Sequence, residues 1–240
     1  MTARPLLPAG IAMALFAVAT NIPYLLLIDR FGYDDVLRQP PLAVLTAFQA
    51  GGVELILIWL AFGLCALSFV LVAGLIDRAL RVSGAPIGGW ILAVGVASAV
   101  AQAIGLARWV FVVPVLATTA LDPSASPAAR EAALAAYQAF HQFAGVAIGE
   151  HVGQLLLVAW TCGVSLAILR GGLGPRAFGW FGLALTPFWI LGQSELLHTA
   201  APAIPVLELT PYAFIGWELW LLALGCAWII KGLRRSQAEP

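Results

Sequence analysis

Long, nearly uninterrupted runs of apolar residues recur along this chain and decide what it can become. Six of them, 6–28, 53–76, 88–116, 142–169, 178–197 and 212–230, are about as long as a helix that crosses the hydrocarbon core of a bilayer. In lipid the backbone can satisfy its own hydrogen bonds only in helices or closed barrels, and runs this continuous lack the alternation of barrel strands. Composition agrees: 62% of the 240 residues are hydrophobic and only 10% charged, too few charges to solvate an ordinary soluble surface. The expectation is an all-α, polytopic membrane helical bundle, with residues 1–240 as a single six-helix domain. The first run is too long for the apolar core of a secretory signal and reads as a retained helix.

The connections alternate in charge. Arg4, Arg78, Arg81, Arg170, Arg176, Lys231, Arg234 and Arg235 fall on one side, against Arg30, Arg38 and Arg130 on the other. Excess basic residues stay on the cytoplasmic side, so the reading places both termini there, in a cytoplasmic (inner) membrane. Of the longer connections, one offers Pro40 and Pro41 before a short helix over 42–49, and another offers Ser126 and Pro127 as a helix start. A net charge of zero without a basic run argues against nucleic acid as a partner. Cys65, Cys162 and Cys226 all lie inside apolar runs, so neither a disulfide framework nor a thiolate metal site is expected.

Within the fourth run Glu150 and His151 stand side by side, and a charge near the bilayer centre costs roughly 2–4 kcal/mol unless partners or water receive it. Gly145, Gly149 and Gly153 in the same run form a small-residue ladder that lets another helix approach closely. A rise of about 1.5 Å per residue turns sequence position into depth. Measured from the basic ends, Gln102 and Glu218 lie roughly 18–19 Å up and Glu195 roughly 25 Å. Arg108, Glu150, His151 and His198 lie at roughly 27–35 Å. All of these groups therefore share the outer half of the membrane, and with Trp217 they define a candidate outward-facing polar pocket. Glu54, His141 and His198 also fit as interfacial residues reaching water, and Trp59, Trp109, Trp217 and Trp220 as belt or packing residues. Arg108 cannot lose its proton, so at depth it needs carboxylate, carbonyl or water, with Glu150 or Glu195 the nearest by level. Glu195 and His198 stand three apart with His151 on the neighbouring run, but no HExxH pattern occurs and no metal is assigned.

The segments Asp34-Asp35-Val36-Leu37-Arg38, Pro175-Arg176-Ala177-Phe178-Gly179-Trp180 and Glu218-Leu219-Trp220-Leu221-Leu222 carry a resemblance covering nearly the whole chain. It resembles a family of uncharacterised bacterial six-span membrane proteins defined only by a domain of unknown function. The resemblance implies one compact six-helix unit and no established reaction, cofactor or catalytic residue. Three functions fit the polar constellation: binding of a small amphipathic or lipid-derived ligand, intramembrane enzymology on lipid or isoprenoid substrates with a carboxylate acid or metal-activated water, and transport of protons or solutes. Membrane lipids are the partners expected in every case.

Overall fold

A computed structural model describes residues 5–33, 35–82, 84, 89–171 and 173–236, of which the side chains of 235 and 236 are left aside. Arg4, Asp34 and Gly88, which entered the charge count, the family motif and the start of the third apolar run, lie outside the described residues. The described chain is helical, with no strand. Its helices are α1 (Leu6–Phe31), α2 (Pro41–Val82), α3 (Trp90–Phe111), α4 (Val113–Leu121), α5 (Pro127–Phe140), α6 (Gly153–Gly171), α7 (Arg176–His198) and α8 (Thr210–Ser236), with a π-helical segment, His141–Val152, between α5 and α6. Among the described residues five stretches are long and apolar enough to cross a membrane: Leu6–Phe31, Pro41–Val82, Trp90–Leu121, Pro127–Gly171 and Thr210–Arg234. Helix α7, with its 23 residues, is also long enough to cross.

Local chemistry explains where these helices begin and break. Pro41 opens α2, as proline at a first helical turn should, and the short helix expected over 42–49 forms, joined across a kink to the helix of the second apolar run. The only interruption is Gly52, at φ 55° and ψ −149°, a backbone conformation that any side chain would strain. The third run was expected to be one helix ending at 116. It breaks instead at Val112, because Pro114 lacks an N–H and crowds the preceding turn, and α4 then continues to Leu121. The turn after α4 is set by Asp122, which accepts from the Ser124 backbone N–H (2.8 Å) and hydroxyl (2.7 Å), holding its carboxyl below the usual carboxylate range. Ser126 then caps α5 by accepting from the Ala129 N–H, with Pro127 in the first turn.

The chain forms two compact units. One, the α6–α8 unit, comprises Met1–Val18, Ser68–Val100 and His151–Pro240. Its core is rich in indoles: Trp160, Trp217, Trp220 and Trp228 are buried with Leu6, Met13, Phe69, Ile76 and Leu224. Helix α7 packs between α6 and α8. The other, the α4–α5 unit, comprises Ala19–Leu67 and Ala101–Glu150. Its separate core gathers Leu27, Phe31, Leu45, Phe48, Trp59, Trp109, Val113 and Tyr137. Large apolar side chains such as Leu15, Leu57, Leu71, Phe111, Ile190 and Leu219 point outward, the arrangement lipid requires and water would penalise.

Candidate functional site in the α4–α5 unit

Arg108 sits on α3 one turn before its break and is only 5% exposed. A guanidinium keeps its charge at any accessible pH, so burial here demands compensation. Three sources supply it: Nη1 donates to the Gly105 carbonyl one turn back, Cζ lies over the Trp109 ring at 5.1 Å from its centroid, and the Glu150 carboxylate attracts it. A desolvated cation over an indole face is worth about 2 kcal/mol. Room for the guanidinium comes from Gly145, where a Cβ would collide with Cζ. The π-helical segment that carries Gly145 also presents Gly149 to Gly105, so closely that a Cβ on Gly105 would stand 2.6 Å from the Gly149 Cα. The glycine ladder read from the sequence thus admits a helix backbone at one rung and a buried cation at another.

Around Arg108 the aromatic rings close into a box. Trp59 and Trp109 stack at 4.7 Å with planes 9° apart, and Phe48 stacks on the Trp109 ring at 5.7 Å. Phe31 meets Trp109 edge-on at 5.4 Å, Tyr33 meets Trp59 at 5.3 Å, and Tyr137 stacks on His141 at 5.6 Å. Edge-to-face and offset stacks of this kind each add about 0.5–1.5 kcal/mol beyond area burial. The polar edges of these rings are the unusual part. Among the described residues, the buried Nε of Arg108, Nε1 of Trp59, Nε1 of Trp109, the hydroxyl of Tyr137 and Nδ1 of His141 meet no hydrogen-bond partner. Four of the five are donors, and a buried donor without an acceptor costs about 1–3 kcal/mol. Gln102 lies on α3 in this unit, half-buried, as is Glu150.

The α6–α8 unit holds the remaining sequence candidates in different surroundings. His151 donates from Nδ1 to the Gln193 Oε1 at 2.8 Å, and the Gln193 amide donates to Gln154 Oε1 at 2.6 Å. This chain of side chains joins α6 to α7. His198 donates from Nδ1 to the Ile204 carbonyl at 2.8 Å, and the Leu207 N–H donates to the Ser194 hydroxyl, so α7 pins the connection to α8 across its own last turns. The Trp217 indole donates to Thr161 at 3.0 Å and its ring meets Phe16, Phe69 and Trp160, which makes it a satisfied core residue. Glu218 is buried beside it on α8, and Glu195 is half-buried on α7. Among the described residues no three His, Cys, Asp or Glu side chains gather as a metal site would require. Cavities open elsewhere: one of about 690 Å³ is lined by Leu173, Trp228, Lys231 and Arg234 among others, and one of about 240 Å³ by Pro23, Glu54 and Leu57 among others.

Gln193 and Gln154 were missed because, of the amides in the apolar runs, only Gln102 was carried into the candidate pocket, whereas every amide in an apolar helix calls for the same attention. Tyr137 was missed because it falls before the fourth apolar run.

Long apolar helices with their polar groups turned inward define a polytopic helical membrane protein. Residues 8–225 match the model of a family described as Domain of unknown function (DUF4386), and the chain belongs to that family. No curated protein and no solved structure matches it.

Proposed function

We propose that the chain is a membrane-embedded binding protein, in which the aromatic box about Arg108 receives the acidic head of a small amphipathic or lipid-derived ligand. The observation that carries this reading is the surplus of donors: the Nε of a fixed cation, two indole N–H groups and a phenol hydroxyl of one unit meet no acceptor among the described residues. A carboxylate or phosphate is acceptor-only when ionised and offers several lone pairs to such a set. The stacked rings supply the dry wall that strengthens those bonds, and outward-facing apolar side chains such as Phe111 and Val115 suit a ligand tail. The excess of basic residues on one set of connections supports a reading in which this unit lies toward the outer side of the cytoplasmic membrane, with both termini inside.

The test is native mass spectrometry of the purified protein equilibrated with a long-chain fatty acid, lysophosphatidate or the zwitterionic lysophosphatidylcholine. Wild type should retain the two acidic amphiphiles in preference to the zwitterion. Tyr137→Phe keeps the ring and removes one donor, so retention should fall roughly tenfold, the effect of one charge-assisted hydrogen bond. Equal retention by wild type, Tyr137→Phe and Arg108→Lys would contradict the reading.

A further inference from the structure

The geometry points to a separate anionic-phospholipid site in the α6–α8 unit, at the cavity lined by Leu173, Gly174, Pro175, Ala227, Trp228, Ile230, Lys231 and Arg234. Its volume, about 690 Å³, is that of a small-molecule site. Ala227, Ile230, Lys231 and Arg234 stand at i, i+3, i+4 and i+7 on α8 and so form one stripe of the helix. Along that stripe the lining passes from apolar to basic, as a phospholipid passes from acyl chain to phosphate. Ile230 is half exposed beside the two cations, so a chain can lie along it while the head reaches Lys231 and Arg234.

One further feature favours an anion over a neutral head. No lining residue is acidic. Trp228 is wholly buried against the cavity and backs its wall. The turn between α6 and α7, at Leu173–Gly174–Pro175, forms the facing wall with little side chain to obstruct a headgroup. This inference stands independently of the Arg108 box, since none of its residues belongs to that unit.

Native mass spectrometry of the full chain ejected from nanodiscs of mixed phosphatidylglycerol and phosphatidylcholine tests the site. Wild type should retain phosphatidylglycerol selectively, and the double variant Lys231→Gln/Arg234→Gln should reduce that retention roughly 30-fold, the effect of losing two juxtamembrane cations. Arg78→Gln/Arg170→Gln removes two exposed cations outside the cavity and should leave retention unchanged. Loss equal to that of the cavity variant would make the effect general surface charge and overturn the site. Unaltered retention in Lys231→Gln/Arg234→Gln would overturn it as well. Saturable binding of inorganic phosphate to the detergent-purified protein, competing with the lipid at equal concentration, would replace a lipid site with a free-anion site.

Discussion

At the scale of single residues, Gly145 and Arg108 form one arrangement: the missing Cβ of the first is the space the second occupies. Gly145→Ala must therefore move either a helix backbone or a buried cation, and overpacking of this kind costs about 1–3 kcal/mol. Gly63 provides the contrast, because a Cβ there would meet the Leu106 Cβ at 3.7 Å, an ordinary contact. Gly63→Ala should stabilise α2 by up to about 1 kcal/mol through helix propensity alone. Thermal unfolding of the two variants in the same detergent should thus shift in opposite directions. A Gly145→Ala variant as stable as wild type would mean that Arg108 is not held against this backbone.

Among whole elements, the α4–α5 connection shows how local chemistry sets a boundary that hydropathy cannot. Ser126 is exposed and its hydroxyl does nothing visible except accept from Ala129, so Ser126→Ala should cost about 1 kcal/mol. Faster amide hydrogen exchange in the first turn of α5, with α8 unaffected, would check it. This start was legible because Ser-Pro is a signal carried by two adjacent residues. The break in α2 at Gly52 was legible as the end of the short helix, while the positive φ that makes it was not. The π-helical segment was likewise invisible: its i→i+5 hydrogen bonds leave no periodicity in a stretch that is apolar on nearly every face.

For the molecule as a whole, the apolar runs made the helical membrane architecture plain, and the family match across 8–225 agrees with it. The polar groups were legible as a set of depths but not as sets of neighbours. Depth is a one-dimensional quantity, and it grouped Arg108 and Glu150 with His151, Glu195 and Glu218, whereas side-chain contacts gather Arg108 with Trp59, Trp109 and Tyr137, and His151 with Gln193. The distribution of basic residues predicts an orientation that labelling can test. Glu131→Cys, before the fourth run, should be labelled by an impermeant thiol reagent in intact cells, and Arg176→Cys only after the membrane is opened. The reverse pattern would invert the topology and move the Arg108 box to the cytoplasmic side.

The indole N–H groups offer the most direct reading of the Arg108 box, because the nine tryptophans include internal controls. Trp217 and Trp220 already donate, to the Thr161 hydroxyl and the Phe178 carbonyl, while the Trp59 and Trp109 N–H groups meet no acceptor among the described residues and are the donors proposed for the head. Nitrogen-15 NMR of indole-labelled protein in micelles, titrated with a long-chain fatty acid, should move the Trp59 and Trp109 resonances downfield and saturate, with Trp217 and Trp220 unmoved. Assignment follows from Trp59→Phe and Trp109→Phe. Resonances of Trp59 and Trp109 that stay fixed throughout the titration, or that move only in step with every other indole, would contradict an acidic head bound in the box.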